Sequence, residues 1–479
     1  MSSPIRLPSV RHAAATVLVL AVWISYGIFG LGADLHGILL VGIVWIVTNC
    51  LFLGAKYQHI QTAILKGLDR AMPAMLVFLM IGVVIATFIQ SGTVGTLIYY
   101  GLKFMDPGIF LPTGLILCSL MSLAVGTSWG TVATGGIVLI GIGGAMGIPL
   151  PMVAGMIVSG ASFGDKMSPV SDTTNLAALS AQTDLYAHIR SMMYTTVPSY
   201  LIALALFTYF GLTYANQPLP EVELNTLLTA LDATFEINVL VLLPMVVLLA
   251  LSMKGVKPEA AMMIASLVAA VIAMVLQGLT LADVVTGFYG GAKIESGVAA
   301  LDPLLNRGGI TDMAWTFTLS FVAISLGSIM QHFGFLKILM EALLRQIKRA
   351  SGLVSSTILV STFSNLTLGE SYISMILTGQ MFRQKYDDLG IDRSVLSRSL
   401  EEGGTLITPL IPWTTTGVFF AATLGVSTLD YFAWSLLNLI NPFVGIIFAY
   451  IGFAVWRSKS SSSEDVKQEN VAEQESIVK

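Results

Sequence analysis

The stretch that decides the fold of this chain is a polar run between two long apolar segments. It reads Ser162-Phe163-Gly164-Asp165-Lys166-Met167-Ser168-Pro169-Val170-Ser171-Asp172-Thr173-Thr174-Asn175. Its carboxylates, ammonium group and hydroxyls are expected at membrane depth, where unpaired ionisable groups are costly. Because a membrane protein keeps such groups for contact with an ion, a substrate or one another, the run predicts a functional centre.

The composition of the whole chain supports a membrane location. Of its 479 residues, 55% are hydrophobic and only 11% are charged, whereas soluble globular proteins carry roughly 25% charged residues. A bilayer is crossed by about 20 apolar residues. We therefore predict an all-α polytopic membrane protein with about twelve transmembrane helices. The apolar segments are 13–31, 38–54, 73–90, 109–125, 132–163, 192–214, 237–253, 260–277, 312–332, 353–381, 404–426 and 431–456.

Charged residues outside these segments predict how the chain is oriented. Arg6 and Arg11 precede the first segment, which is followed by another span and is therefore interpreted as a signal anchor. The positive-inside rule places the N-terminus and the later basic segments in the cytoplasm. The loop 216–236 carries acidic residues and no Lys or Arg, so it is expected outside. The charged, serine-rich tail 457–479 is expected to be disordered and cytoplasmic.

Several classes of protein are disfavoured by the sequence. The only cysteines, Cys50 and Cys118, lie in apolar segments, which predicts neither a disulfide framework nor a zinc site. The glycine-rich stretch 135–147 lacks a preceding strand, and no Gly-Lys-Ser/Thr phosphate loop accompanies it, so ATP-driven pumping has no support. The net charge of −4 gives no indication of nucleic-acid binding. We expect no cofactor, and we expect the lipid bilayer as the surroundings.

A weak internal repeat predicts two inverted halves with broken or re-entrant helices, a common plan of secondary transporters. At an offset of 240 residues, Ser168-Pro169-Val170 matches Thr408-Pro409-Leu410, and Gly126–Thr131 lies over Leu366–Ser371. Proline interrupts the helical hydrogen-bond ladder and frees backbone carbonyls inside the protein. The predicted parts are a first transmembrane half, 1–215, an extracytoplasmic acidic loop, 216–236, a second transmembrane half, 237–456, and the tail, 457–479.

Freed carbonyls, hydroxyls and a carboxylate together suit a hard cation such as Na⁺. Asp172 is the predicted carboxylate, and Asp172, Thr173 and Asn175 are the predicted Na⁺ ligands. A carboxylate that binds either H⁺ or Na⁺, but never both, is sufficient for antiport, so these are the expected transported or coupling ions. The candidate ion- or substrate-binding residues are Asp172, Asp165, Ser168, Thr173, Thr174, Asn175, Thr127, Ser128, Asn365 and Glu370.

The polar run also has a purely structural interpretation. In that case Ser168 is an N-cap with Pro169 at the first helical position, and Asp172 only pairs with Lys166. It leaves unexplained why a second Asp, a Lys and an Asn share one intramembrane run. Intramembrane ionisable residues are functional by default, which favours the ion site.

Three further charged residues in the second half have two interpretations each. Glu401 and Glu402 either enter the transport pathway or cap their span at the cytoplasmic surface. Arg307 either binds a substrate carboxylate or anchors its segment at the interface.

The segment Gly126–Gly130 formally matches the nucleophile elbow of serine hydrolases, with Ser128 at its centre. That motif needs a strand before it and a histidine partner, and nothing around the segment predicts a strand. A ligand at a helix break, or close helix packing through small residues, fits better. A hydrolase and a passive channel remain the alternatives from other classes.

Several of these segments together resemble the signature of NhaC-type sodium/proton antiporters. They are Gly126–Thr131, Gly160–Lys166, Ser168-Pro169, Ser171–Asn175, Leu304–Ile310 and Thr408–Trp413. The resemblance covers most of the chain. It implies a secondary antiporter of the ion transporter superfamily, placed in a bacterial-type inner membrane and exchanging Na⁺ for H⁺. Homo-oligomerisation remains open.

The resemblance also leaves a second cargo open. Some members of the family exchange malate for lactate and sodium in the same cycle. The second half departs from the family pattern, with Gly369-Glu370-Ser371-Tyr372 where an Asp-Gln pair is common. A small carboxylate or an amino acid is therefore the alternative cargo, with Na⁺ as the coupling ion.

Overall fold

The computed structural model describes residues 6–104, 106–169, 171–215, 221–298 and 301–457, which form helices joined mostly by short turns. The first helices are α1 (Val10–Ser25, continued by a π-helical turn, Tyr26–Gly30), α2 (Leu35–Phe52), α3 (Tyr57–Gln90), α4 (Thr93–Phe104), α5 (Pro107–Val125), α6 (Ser128–Thr131), α7 (Ile137–Ala145), α8 (Leu150–Met167), α9 (Asp172–Ala181) and α10 (Leu185–Ala215). The helices that follow are α11 (Glu221–Thr234), α12 (Leu243–Met253), α13 (Pro258–Val275), α14 (Leu281–Gly290), α15 (Asp302–Leu305), α16 (Gly309–His332), α17 (Phe335–Leu344), α18 (Ala350–Leu368), α19 (Ser371–Asp388), α20 (Arg393–Gly403), α21 (Thr415–Leu424), α22 (Thr428–Phe432) and α23 (Leu436–Ile451).

The prediction of an all-α polytopic membrane protein is confirmed. Within the described ranges, eight helices are long and apolar enough to cross a membrane, or ten if two bent helix pairs each count as one span. Four of the twelve expected segments are not single long apolar helices. The segments 237–253 and 404–426 belong to the bent pairs, 353–381 is divided at Gly369 between α18 and α19, and 431–456 contains α23, which has 16 residues.

Two helical hairpins bring chain breaks into the interior. Hairpin 1 joins α5 to α6, which continues through the π-helical turn Val132–Gly136 into α7, and hairpin 2 joins α18 to α19. Gly126 (φ 77°) and Gly369 (φ 70°) cap α5 and α18 in the left-handed conformation that favours glycine.

Two broken helices complete the central architecture. Broken helix 1 is α8 followed by α9, and broken helix 2 is α20 followed by α21. A helix restarts after each break at a hydroxyl N-cap, because the Oγ of Ser171 accepts from the N–H of Thr174 (3.4 Å) and the Oγ1 of Thr414 accepts from the N–H of Gly417 (3.1 Å). Each predicted break contains a proline, and the helix after it begins at the serine or threonine N-cap that follows that proline.

The repeat is present at an offset of 243 residues instead of the expected 240. At 243, α5 and α18 coincide at both ends, and so do α9 and α21. One of the two bonds that join each hairpin to its broken helix is also repeated in full. Ser122 donates to the carbonyl of Ala161, and its counterpart Asn365 donates to that of Gly404. The second bond is repeated only at its acceptor: Ser168 donates to Leu123, whereas Trp413, two positions after the counterpart of Ser168, donates to Leu366. The two prolines are not equivalent, so aligning them gave the wrong offset. Pro169 lies in the short break between α8 and α9, whereas Pro409 lies in a 3₁₀ turn within the longer break between α20 and α21.

The two halves are inverted relative to each other. The corresponding helices α3 and α16 pack side by side, with Gly67 against Ser328 and Gly82 against Gly309. Residue numbers rise along one helix as they fall along the other, so the helices are antiparallel. Equivalent hairpins must therefore enter the protein from opposite faces.

Outside the spans, the turn between α19 and α20 is held by an exposed ion pair. Arg393 donates to Asp387 through two nitrogens (2.8 and 2.9 Å), and a third nitrogen donates to Gln182 at the end of α9. The Arg393 guanidinium holds the pKa of the Asp387 carboxyl below its usual value. Hairpin 2 and both broken helices thus meet at this turn.

Parts of the predicted domain plan lie outside the described residues. These parts are residues 216–220 of the acidic loop and residues 458–479 of the tail. Within the loop, residues 221–234 form α11. The boundaries of the halves therefore stay predictions.

We expect Gly82→Val to destabilise the protein, because a Cβ at this position would lie 2.8 Å from the carbonyl carbon of Gly309 and 2.9 Å from Cγ of Met313. Overpacking of this kind costs about 1–3 kcal/mol. Thermal unfolding in detergent, followed by size-exclusion chromatography, measures the effect. Gly37→Val is the control, because a Cβ on that exposed glycine of α2 has no neighbour within 4 Å. Equal midpoints for the two variants would contradict the α3–α16 packing.

Candidate functional site

The hairpin tips and helix breaks meet at a cavity of about 430 Å³. Residues from hairpin 1, broken helix 1, hairpin 2 and broken helix 2 all line it, as do residues from α3, α13 and α16. The polar and charged lining residues are Arg70, Thr127, Ser128, Ser162, Asp165, Lys166, Asp172, Thr173, Glu259, Ser328, Gln331, Glu370, Ser371, Tyr372, Thr405, Thr415 and Thr416.

Asp165 lies in the last turn of α8, where its carboxylate accepts from donors of two other chain segments. One oxygen accepts from the N–H (3.0 Å) and the hydroxyl (2.6 Å) of Ser128 at the tip of hairpin 1. The other accepts from the hydroxyls of Ser171 (2.5 Å) and, more weakly, Thr173 (3.5 Å) near the start of α9. These residues form the hydroxyl cage: Ser128, Asp165, Ser171 and Thr173.

Asp172 begins α9 and connects the two halves. One of its oxygens accepts from the N–H of Thr173 (2.9 Å), and the other accepts from the phenol of Tyr372 in hairpin 2 (2.6 Å). Asp172 is exposed, whereas the three hydroxyl-bearing residues of the cage are buried. Ser171, not Ser168, is the N-cap of α9, and the hydroxyl of Ser168 donates to Leu123. The structural interpretation of the polar run is therefore wrong about its cap.

Two predicted residues of hairpin 2 have different positions. Glu370 is buried and lines the cavity, where its carboxylate caps α19 by accepting from the N–H of Ile373 (2.9 Å). Asn365 is buried in α18 and donates to the carbonyls of Gly403 (3.3 Å) and Gly404 (2.7 Å). Asn365 thus fastens hairpin 2 to broken helix 2 and is not a lining residue.

The remaining predicted residues divide in the same way. Thr127 lines the cavity beside Ser128. Thr174 donates to the carbonyls of Asp165 and Lys166 (both 3.2 Å), and Asn175 donates to those of Pro169 (3.0 Å) and Ser171 (2.7 Å). Of the three predicted Na⁺ ligands, Asp172 and Thr173 therefore lie at the cavity, while the Asn175 amide satisfies backbone carbonyls of the break.

Some contacts at the cavity could not be predicted from the sequence. Ser171 stood inside the polar run but carried no assigned role, and Tyr372 stood next to Glu370. The bond between Tyr372 and Asp172 joins residues 200 positions apart, which no local pattern reveals. Correct alignment of the repeat would have placed Ser371 opposite Ser128, and thus hairpin 2 at the same centre.

The charge of the lining favours a cation. Four carboxylates (Asp165, Asp172, Glu259 and Glu370) face two cationic side chains (Arg70 and Lys166). A concave site with excess negative charge raises the local concentration of cations. The hydrolase alternative loses support, because the hydroxyl of Ser128 donates to Asp165 and the lining within the described residues contains no histidine.

Arg307 lies at the C-terminal end of α21, where it has a structural role. Its guanidinium donates to the carbonyls of Ala422 (3.0 Å), Thr423 (3.0 Å) and Leu424 (3.2 Å) at the end of α21. A cation at a helix C-terminus satisfies carbonyls that have no partner in the helix and interacts favourably with the helix dipole. Arg307 therefore caps broken helix 2 and is not part of the cavity lining.

Comparison with known proteins identifies the family. The Na⁺/H⁺ antiporter family model matches residues 160–453, which include the second half of α8, α9, hairpin 2 and broken helix 2. The chain belongs to the Na⁺/H⁺ antiporter family. It is 38% identical to the malate-2H⁺/Na⁺-lactate antiporter of Bacillus subtilis (strain 168), over 96% of this chain and 98% of that protein. It is 35% identical to the Na⁺/H⁺ antiporter NhaC of Alkalihalophilus pseudofirmus, over 94% and 98%. It is 31% identical to the arginine/ornithine antiporter ArcD of Halobacterium salinarum, over 98% and 96%.

Membership of the Na⁺/H⁺ antiporter family confirms the resemblance and the predicted class of protein. It assigns the chain to a family of transporters. The apolar helices of the fold and the antiporter relatives together make it a multi-pass membrane protein.

In this antiporter, we expect Tyr372→Phe to weaken the site without unfolding it. The loss of a hydrogen bond to a charged group at a partly exposed position costs about 1 kcal/mol, or roughly fivefold in apparent affinity. The Na⁺ concentration for half-maximal exchange in vesicles should rise by this factor. Tyr186→Phe, on an exposed tyrosine at the start of α10, is the control. An unchanged Na⁺ dependence would show that Asp172 needs no partner from hairpin 2.

Proposed function

We propose that this member of the Na⁺/H⁺ antiporter family exchanges Na⁺ for H⁺ across the cytoplasmic membrane, with Asp165 as the carboxylate for which the two ions compete. The observation that carries the proposal is the hydroxyl cage. Asp165 is more enclosed than Asp172 and is bonded by three hydroxyls from two chain segments, so it replaces Asp172 as the preferred carboxylate.

The cage can serve both ions by rotation of its hydroxyl groups. A serine or threonine hydroxyl carries one donor and two acceptor lone pairs. Without a cation the hydroxyls donate to the ionised Asp165, and with Na⁺ bound they turn their lone pairs toward the ion. A proton on Asp165 removes the negative charge and with it the main attraction for Na⁺. Binding of the two ions is therefore mutually exclusive, which is the condition for antiport.

Asp172 and Glu370 supply further negative charge and a link between the halves. The bond from Tyr372 to Asp172 joins broken helix 1 to hairpin 2 across the cavity. A change of the ion at Asp165 therefore alters the charge facing both inverted halves. Rigid-body rocking of one repeat against the other around a central site is the usual form of alternating access in such folds.

The position of the cavity supports an inward-facing state. Among the lining residues, Glu259 and Gln331 lie near ends of α13 and α16 that adjoin basic segments of the sequence, and Arg70 belongs to the basic N-terminal half of α3. By the positive-inside rule we assign these ends, and with them both chain termini, to the cytoplasm. In the proposed cycle Na⁺ enters from the cytoplasm and is released outside. Protons returning down their gradient then drive the exchange.

A second candidate function is favoured by the size of the cavity. At about 430 Å³ it greatly exceeds the roughly 30 Å³ that one water molecule occupies in the liquid. Its cationic residues, Arg70 and Lys166, are suitable partners for a small organic carboxylate held beside Na⁺. The relative from Bacillus subtilis is named for malate and lactate, and the relative from Halobacterium for arginine and ornithine. A carboxylate or amino acid exchanged together with the ions is therefore the alternative cargo.

We expect Asp165→Asn to abolish the exchange, because an amide neither carries a proton in the cycle nor neutralises Na⁺. The measurement is the loss of a pH gradient in everted vesicles from cells without their own antiporters, after addition of Na⁺. Asp172→Asn should retain exchange with a higher Na⁺ requirement. Asp69→Asn, an exposed carboxyl on α3, is the control and should match the parent. Parental exchange by a well-expressed Asp165→Asn protein would refute the assignment of Asp165.

The same vesicles separate the two candidate functions. Sodium alone should dissipate the gradient if the protein is a simple Na⁺/H⁺ antiporter. A response that requires malate, lactate or an amino acid together with Na⁺ would instead identify a coupled organic exchanger. Arg70→Gln should then weaken the response to the organic acid while leaving any response to Na⁺ alone unchanged.

A further inference from the structure

The cavity is lined by equivalent residues of the two halves. Eight lining residues belong to hairpin 1 and broken helix 1, and at the offset of 243 residues seven of their counterparts line the cavity as well. Among the pairs that the repeat matches are Ser128 with Ser371, Asp172 with Thr415, and Thr173 with Thr416. The second half therefore presents its own set of hydroxyls to the space in which the hydroxyl cage lies.

A backbone hydrogen bond brings these second-half residues together. The N–H of Thr415, the first residue of α21, donates to the carbonyl of Gly369 at the tip of hairpin 2 (2.9 Å). Glu370 and Ser371 follow that glycine, so they lie beside the start of α21. We call Glu370, Ser371, Thr415 and Thr416 the second-half site. All four of its residues line the cavity.

Each hairpin also reaches the broken helix of the other half through an aromatic side chain. Trp129 of hairpin 1 donates to the hydroxyl of Thr416 at the start of α21 (3.4 Å). Its counterpart in the repeat, Tyr372 of hairpin 2, donates to the carboxylate of Asp172 at the start of α9 (2.6 Å). The second-half site and the hydroxyl cage thus lie where the same two hairpins meet the same two broken helices.

Glu370 supplies the carboxylate that broken helix 2 lacks at the position of Asp165. In the first half, Asp165 accepts from the N–H of Ser128, the first residue of α6 (3.0 Å). In the second half, Glu370 accepts from the N–H of Ile373 in the first turn of α19 (2.9 Å). Each hairpin therefore has a carboxylate at the start of its returning helix, although the broken helix supplies it in one half and the hairpin in the other.

The second-half site contains buried polar groups that are available to a ligand. Glu370, Ser371 and Thr415 are 9%, 4% and 2% exposed. None of the ion pairs among the described residues includes Glu370, and no hydrogen bond there includes the hydroxyl of Ser371 or of Thr415. Buried carboxylates are normally paired with a cation, and buried hydroxyls are normally hydrogen-bonded. A cation bound at this site would provide the missing partner for all three groups.

The other buried carboxylates of the second half do not serve this site. Glu401 and Glu402 of α20 are fully buried and do not line the cavity. Glu402 is paired with Arg398 (Nε to Oε1, 3.5 Å), and Glu401 accepts from the hydroxyl of Thr405. The interpretation of the two glutamates as caps at the cytoplasmic surface is therefore wrong. Glu370 is the carboxylate that the second half presents to an ion in the cavity.

We propose that the second-half site binds a second Na⁺ at the same time as the hydroxyl cage binds the first. The inference rests on the Na⁺ site proposed at Asp165, because it assigns the same ligand chemistry to equivalent residues of the other half. Carboxylate and hydroxyl oxygens are ligands that a hard cation prefers. The charge of the lining agrees, since four carboxylates and two cationic side chains leave an excess of two negative charges. Two Na⁺ ions neutralise that excess, whereas one leaves half of it.

The test is the number of Na⁺ ions bound per chain at saturation. It is measured by equilibrium binding of ²²Na⁺ to the purified full-length protein in detergent, at alkaline pH so that protons do not compete. We expect two ions for the wild type and one for Glu370→Gln, because glutamine keeps an oxygen that can cap α19 but carries no charge. Asp165→Asn should also bind one ion, and the double variant should bind none.

A hydroxyl variant and a control accompany these proteins. Ser371→Ala should weaken the binding of one Na⁺ by roughly fivefold and leave the other unchanged, because it removes one neutral ligand. Glu341→Gln removes an exposed carboxylate of α17, outside the cavity, and should still bind two ions.

One Na⁺ per chain in the wild type would overturn the inference, and this count decides the question even if the glutamine variant is not monodisperse. Two ions in Glu370→Gln would overturn it as well. Absence of Na⁺ binding in the wild type, or an unchanged count in Asp165→Asn, would instead overturn the Na⁺ site proposed at Asp165, on which the inference rests.

Discussion

Backbone polar groups at membrane depth must find partners inside the protein, and the centre of this fold depends on that constraint. Two hairpin tips and two helix breaks leave carbonyls without helical partners there. Side chains satisfy them in both halves: Ser122 and Asn365 donate to broken helices, and Ser168 and Trp413 donate to hairpins. Each break is thereby fastened to the hairpin of its own half. The breaks can then stay open toward the cavity without exposing unpaired backbone to lipid.

The repeat preserves this framework while the charged groups differ between the halves. At the positions that correspond to Asp165 and Asp172, the second half carries Thr408 and Thr415. Its own acidic residues lie elsewhere, with Glu370 at the tip of hairpin 2 and the glutamates in α20. The backbone scaffold is therefore twofold, whereas the electrostatics are not. Because the charges differ between the halves while the backbone repeats, an inward-facing and an outward-facing state can share one backbone plan and still bind ions differently.

Sequence patterns predicted more of the fold than of the site. Composition and apolar length were sufficient for the membrane class, and the repeat predicted chain breaks within 126–131 and 366–371, where the structure has the tips of the two hairpins. The pattern favoured Asp172, whereas the proposal prefers Asp165 because of hydroxyl bonds from Ser128 and Ser171 that spacing along the chain does not encode. Glu370 and Asp172 were predicted separately, but their approach through Tyr372 depends on packing between residues far apart in the chain. Local rules describe the ends of helices, while the site depends on how those ends meet.

The choice of hydroxyls around Asp165 has a physical reason beyond coordination. A transported ion must bind from one side and leave on the other, so a site built from several carboxylates would hold it too tightly. Neutral hydroxyls supply oxygen ligands without further charge, and they return to the carboxylate as donors once the ion has left. In the proposed cycle, the cage without an ion is stabilised by the same three side chains that would coordinate Na⁺. The hydroxyls of Ser128, Ser171 and Thr173 all donate to Asp165 in the structure, so the cage does not depend on a bound ion to satisfy its buried donors.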